Sequence, residues 1–220
     1  MIKQIEVIAL IYKSVEYLNF IKKQLLSDNC LVDGWDVTVR VVANDASPAV
    51  LSELEDSNLP YSIYNDPSPQ DFYLNRVYKC WNFAGTTSTS PNICFVNSDM
   101  AFSSHWLSNL LKHHNGSNIP CSRLVESNKM ISMPGKFGIG RNLGRHPNDF
   151  NEEGWNHTVS SITEDRIMPG GLYMPCVFET TRFKESGGYP KGNVFRTRSG
   201  LKTGYPNDRE VYKSGDDYFF

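Results

Sequence analysis

Three short acidic segments carry residue types that can do chemistry. Asn97-Ser98-Asp99-Met100 places a carboxylate just after a short, wholly apolar run. A carboxylate there, flanked by small polar residues, suits a hard divalent cation, which in turn can clamp a diphosphate. The competing reading is an Asp that caps the following turn. Asn44-Asp45-Ala46-Ser47-Pro48 is the second. Asp45 can accept hydrogen bonds from a base or a ribose, or the stretch is a plain turn and helix cap. The third is Asp216-Asp217. Adjacent carboxylates repel, which tends to raise one pKa, and a carboxylate reaching a cleft can take a proton from an alcohol. The alternative is a solvated acidic step before the apolar Tyr218-Phe219-Phe220.

The elements that must position these groups alternate along the first half. Residues 5–12 form a near-continuous apolar, β-branched run, which suits a strand covered on both faces. Ser14 can cap a helix through Leu26, with Leu18, Ile21 and Leu25 at helical spacing. Residues 37–43 read as a second buried strand. Ser47-Pro48 then opens a second helix, Ser as cap and Pro in the first turn. A short strand at 61–64, a helix over 72–84, a strand at 93–96 and a helix capped by Ser104 follow. This order predicts an α/β fold, a mostly parallel central sheet flanked by helices on both sides. In such sheets ligands bind beyond the carboxyl ends of the strands. Asp45 and Asp99 both fall there. Residues 134–171 are rich in Gly, Pro and Asn and predict long loops. A strand is expected at 172–178, then a short helix over 181–186 stopped by Gly187-Gly188.

Composition narrows the function classes. The 22 Lys and Arg against 24 Asp and Glu leave no basic footprint for nucleic acid. No apolar run reaches the roughly 18 residues of a membrane span. Met1 to Glu6 lacks the features of a signal peptide. The expectation is a soluble, cytoplasmic protein. Five cysteines without a C-x-x-C pair predict reduced, mostly buried thiols.

Taken in order, these segments resemble glycosyltransferases of the GT-A fold, family 2 type. Val7-Ile8-Ala9-Leu10-Ile11-Tyr12-Lys13 with Leu18 is similar to that family's opening strand and helix, with Leu10 for the usual Pro and Lys13 for the usual Asn. Asn44-Asp45-Ala46-Ser47 resembles its D-D-x-S, and Trp81-Asn82-Phe83-Ala84 the W-N-x-G/A signature of one subgroup. Asn97-Ser98-Asp99 resembles D-x-D with its first Asp replaced. Gly187-Gly188-Tyr189-Pro190 and Asp216-Asp217 are similar to the late G-G-Y/F and acidic-pair motifs.

The resemblance implies a single GT-A (Rossmann-like) domain over 1–220. Residues 1–115 would be the nucleotide-sugar-binding half and 116–220 a loop-rich acceptor-binding and catalytic half. It implies transfer of a sugar, with inversion, from a nucleotide-diphosphate sugar to a glycan or other hydroxyl acceptor, a UDP-sugar being favoured by the family alone. Leu10, Ile11 and Tyr12 would border the base and Asp45 would hold the nucleoside. Trp81, Asn82, Asn97 and Ser98 would complete the donor site. Asp99 would bind Mn²⁺ or Mg²⁺. Gly170, Gly171 and Tyr173 would lie on the acceptor side. Asp217 would be the general base, with Asp216 in reserve. Relatives often continue past the acidic pair, whereas three residues follow Asp217 here. A minimal protein, a shortened piece and a partner-completed acceptor site are all open readings of that ending.

Two rival classes stand beside the transferase. A non-catalytic relative that binds a nucleotide-sugar or glycan fits the neutral Asn97. A nucleotidyltransferase needs a Gly-rich, cationic loop after the first strand, and Leu10 to Ser14 contains no glycine. Arg76 is open between a phosphate ligand and an exposed helix position, and Trp155 between an acceptor platform and core packing. Lys136, Arg141 and Arg145 lie beside Gly138, Gly140 and Gly144, as either a lid or a bland loop. His113-His114 is expected to be a solvated helix end.

Overall fold

The computed structural model describes the chain except residues 1, 69–72, 128–137, 165, 170–173, 190–193, 197–209 and 214–220. Strand β1 (Lys3–Ile11) runs through the middle of the principal sheet. Its period-two pattern explains why. Ile5, Val7 and Ala9 enter one core layer, and Ile8 and Leu10 enter the layer on the opposite face. A strand buried on both faces must have a layer of helices on each side.

Those layers come from the next elements. Helix α1 (Val15–Leu25) is capped by Ser14, whose Oγ accepts from Tyr17 N–H, and buries Leu18, Ile21 and Leu25. Strand β2 (Trp35–Asn44) pairs with β1 in parallel, and helix α2 (Pro48–Asp56) starts at the Ser47 cap with Pro in its first turn. Strand β3 (Tyr61–Tyr64), helix α3 (Tyr73–Thr87), strand β4 (Asn92–Asn97) and helix α4 (Trp106–His113) complete the alternation. The sheet order is β3-β2-β1-β4, and these four strands are parallel, the arrangement the alternating elements predict.

Later segments add two small strands, β5 (Val125–Ser127) and β6 (Ile139–Arg141), paired in parallel, and helix α5 (Glu152–Ile162). Strand β7 (Cys176–Glu179) then inserts antiparallel beside β4, and helix α6 (Thr180–Glu185) follows it. Strands β8 (Val194–Arg196) and β9 (Glu210–Lys213) form a separate antiparallel pair.

Where β1 and β2 meet, a part-buried ion pair ties the sheet to α3. Arg40 reaches both carboxylate oxygens of Glu6, at 2.8 and 3.1 Å, and donates to the Ala84 carbonyl at 2.9 Å. Gly85 lies against the Phe183 ring so closely that a Cβ would overlap it, which is how α3 and α6 come together.

Several expectations are corrected. Ser104 does not cap α4. His105, in the left-handed conformation at φ 61°, holds that position without a side-chain cap. The region 134–171 is not all loop, because it contains α5. That helix has the acidic first turn and Asn151 cap of a sound N-terminus, but Gly154 and a thin apolar face of Trp155, Val159 and Ile162 disguise it. His113-His114 is not a fully solvated end. His114 is half-buried and its Nε2 lies 2.8 Å from Asn92 Oδ1. The cysteines are free thiols, four of them buried. Burial pushes the Cys30 thiol up to about 11, and it pushes Cys80 and Cys94 further in the same direction. Among the described residues, no helix is long and apolar enough to cross a membrane.

Candidate functional site

The four parallel strands end at one edge, in a register that lines up their exits. Leu10 pairs with Val42 on one side and Asn97 on the other, and Asn44 pairs with Tyr64. The residues that leave that edge are Tyr12, Asp45, Asp66 and the turn Asn97-Ser98-Asp99.

Asp45 is the organising group. It sits at φ 45°, in the left-handed region that Asp tolerates better than most residues. Its N–H donates to the Tyr64 carbonyl at 2.8 Å, extending the β2–β3 ladder by one bond. Oδ1 accepts from the Asp66 N–H at 2.8 Å, and Oδ2 faces Arg76 Nη1 at 3.4 Å. Arg76 is therefore not an exposed helix residue, since only 18% of its side chain is accessible. Among the described residues its buried Nε has no hydrogen-bond partner, and Asn44 Oδ1 is in the same condition. Ser47 Oγ donates to the Lys13 carbonyl at 3.1 Å, which ties the loop after β1 to the start of α2.

Tyr12 presents its ring beside this carboxylate. The Arg76 guanidinium lies 5.8 Å from the ring centroid and Lys13 Nζ 4.8 Å, within cation–π range. Tyr12 is 40% exposed. Hydrogen bonding to Lys13, and next to Arg76, holds its hydroxyl pKa below the usual phenol value.

Beneath Asp45 lies a buried ion pair. The Asp66 side chain is fully enclosed, and its Oδ1 accepts from the Ser68 N–H at 2.7 Å and from Lys79 Nζ at 3.1 Å. Asp66 Oδ2 has no hydrogen-bond partner among the described residues. The pair fixes the backbone whose N–H holds Asp45. The sequence reading missed Asp66 and Lys79. Asn65-Asp66 directly after the third strand was the available signal, since it repeats the Asn44-Asp45 placement.

At the other side of β1, Asn97 and Ser98 are half-buried while Asp99 is exposed. Protein nonetheless surrounds Asp99 closely enough for desolvation to push its carboxyl pKa up, opposed by a backbone N–H. It forms no ion pair among the described residues. Two strand spacings, about 10 Å, separate the exits of β2 and β4.

The remaining predicted residues divide plainly. Leu10 and Ile11 are buried, so only their backbone and Tyr12 can meet a ligand. Trp81 is 1% exposed and packs on Phe95 at 4.8 Å. The Asn82 amide accepts from Tyr189 N–H and donates to Tyr189 O, both at 2.7 Å. Trp81 thus belongs to the core, and Asn82 ties its own segment to the one that follows Gly187-Gly188. Gly170, Gly171, Tyr173, Asp216 and Asp217 lie outside the described residues, as does Lys136. Arg141 and Arg145 are exposed. Among the described residues, no three His, Cys, Asp or Glu side chains are grouped to hold a metal ion.

No family model matches the chain, and no curated protein matches it in sequence. Among solved structures, it is similar to S. aureus TarS 1–349 in complex with UDP. The likeness covers 86% of this chain and 50% of that one, at 15% identity and a TM-score of 0.48. It is also similar to the mannosyltransferase PcManGT from Pyrobaculum calidifontis, in complex with GDP-Man and Mn²⁺. That likeness covers 86% of this chain and 48% of the other, at 15% identity and a TM-score of 0.47. The chain spans about half the length of these structures.

Proposed function

We propose that the protein is a GT-A-type glycosyltransferase that moves a sugar from a nucleotide-diphosphate sugar to an acceptor hydroxyl with inversion. The observation that carries this reading is the grouping of Asp45, Arg76 and the open Tyr12 ring at the sheet edge that also bears Asp99. Tyr12 with its two cations offers a face for a planar base. Each Asp45 oxygen keeps acceptor capacity beyond its single bond, enough for a base N–H or a ribose hydroxyl. Arg76 Nε, without a partner among the described residues, is a further donor toward the ligand. A nucleoside laid across β1 from this cluster carries its diphosphate toward Asp99.

The Asp99 and Asn97 oxygens fit a hard divalent cation, Mn²⁺ or Mg²⁺. Asp99 is uncommitted, and a cation would relieve the desolvation that now raises its pKa. Such ions take only one or two protein oxygens when phosphates supply the rest. Bound there, the ion supplies charge neutralisation to the leaving diphosphate.

The transfer itself balances simply. The acceptor oxygen attacks the anomeric carbon, the bond from that carbon to the phosphate oxygen breaks, and its electron pair leaves with the nucleoside diphosphate. The acceptor's proton goes to a carboxylate, for which Asp217 is our candidate and Asp216 its substitute. Gly170, Gly171 and Tyr173 are our candidates for the acceptor side.

A binding-only relative is the second reading, favoured by the neutral oxygen of Asn97. One experiment separates the two. UDP-, GDP-, CDP- and dTDP-sugars, with and without Mn²⁺, are screened by thermal shift, and the binders are then tested for transfer and hydrolysis. A donor at about 100 Kd stabilises by about 2.7 kcal/mol, a rise of roughly 5–10 °C for a chain this size. The Asp217→Asn variant should keep that shift and lose turnover. Unchanged turnover removes Asp217 from the mechanism, and binding without turnover in the parent protein selects the second reading.

A further inference from the structure

Away from the strand exits, a groove of about 540 Å³ lies between the far end of α1, the segment leading into α4 and the flank of α5. Small-ligand sites run from about 300 to 1,000 Å³. Phe102, Phe150 and Trp155 supply its apolar wall. Each ring is fixed by the fold. Trp155 Nε1 donates to the Phe102 carbonyl at 3.4 Å. Phe102 stacks on Trp106 at 4.3 Å, and its N–H donates to Gln24 Oε1 at 3.1 Å. Phe150 meets Phe20 edge-on at 5.3 Å.

The polar part of the lining is amide and hydroxyl. The side chains of Asn29, Ser103, Ser104 and Asn156 make no hydrogen bond among the described residues, so they are available to a ligand. The charged lining residues cancel, because Lys23 Nζ lies 2.8 Å from Glu152 Oε2. A phosphate finds no uncommitted cation here, and a lipid chain finds too little continuous apolar surface. A neutral polyhydroxylated ligand matches both halves: the apolar faces of its rings meet the aromatic wall, and its hydroxyls meet amides and hydroxyls.

We propose that this groove binds neutral sugar units of an oligosaccharide. The eleven residues of α1 span about 16 Å. The helix begins beside Tyr12 and ends at the groove, so a chain held here is anchored a helix length from the strand-exit cluster. The inference rests on the lining alone, and a failure of the transferase reading leaves it standing.

The test is a titration of ¹⁵N-labelled protein, followed through the Trp155 indole N–H and the Asn29 and Asn156 side-chain amides. The probes are maltotetraose, cellotetraose, mannotetraose and chitotetraose at millimolar concentration, with UDP and sodium phosphate as anionic comparators. At least one neutral oligosaccharide should shift these signals. Trp155→Ala should weaken that binding about tenfold. Asn156→Ala, at an exposed position where the fold asks nothing of the side chain, should weaken it about fivefold. Silence from all four sugars overturns the proposal. So do shifts confined to Tyr12 and its neighbours, a groove that answers only to UDP or phosphate, and sugar binding that Asn156→Ala and Trp155→Ala both leave intact.

Discussion

Replacing Lys79 with Met tests how the site is held. The Asp66 carboxylate is wholly enclosed, and Lys79 Nζ at 3.1 Å is its charged partner. Removing one member of a buried ion pair typically costs 3–5 kcal/mol, because the other charge stays desolvated. Lys79 is itself 29% exposed, so solvent already screens part of the attraction. A cost of about 2 kcal/mol is therefore expected, or roughly 4–8 °C in Tm for a chain of this size. Asp66→Asn should cost less, since its amide oxygen still accepts from Ser68 N–H and a freed lysine can reach water. The double variant should be no less stable than Lys79→Met alone, because the stranded charge is gone. Thermal and urea unfolding of the four proteins closes the cycle. A Lys79→Met variant as stable as the parent, or two costs that simply add, refutes the reasoning. The same variant should weaken donor binding, since Asp66 N–H is what holds Asp45 Oδ1.

Two further outcomes follow from other parts of the molecule. Asn82→Leu removes the side-chain partner of the buried Tyr189 N–H and carbonyl, a loss of about 2–4 kcal/mol measurable by urea unfolding, whereas a surface exchange such as Glu55→Ala should cost little. His114 has its pKa lowered in the folded state, chiefly by desolvation. The unfolded chain then binds the proton more readily, so stability should be level above about pH 6.5 and fall as pH drops through that value toward the folded pKa. His114→Gln should flatten that part of a stability–pH profile. An unchanged slope removes His114 as its source.

The parallel half of the fold was legible because its signals are strong and local. The run over β1 carries apolar residues on both of its faces, Ser14 and Ser47-Pro48 mark helix starts, and Asp45 and Asp99 fall just past strand ends. What escaped depends on contacts between distant segments. Asp66 reads as an ordinary Asp before Pro67, and only the enclosure of its carboxylate beside Lys79 reveals its part. Trp81 and Asn82 read as donor-site residues from their type alone, and their contacts with Phe95 and Tyr189 are invisible along the chain. Helix α5 was hidden by weak propensity at Gly154 and a narrow apolar stripe, whose packing against Phe102 is invisible along the chain.

The antiparallel insertion of β7 bears on how this molecule is made. Its four residues cap the outer side of β4, yet they are translated long after it. Until Cys176 to Glu179 have left the ribosome, the apolar residues Ile93, Cys94 and Phe95 stand at an open sheet border with backbone groups unmatched. A nascent chain in that interval is sticky, and protein cut short before Cys176 is expected to collect in the insoluble fraction.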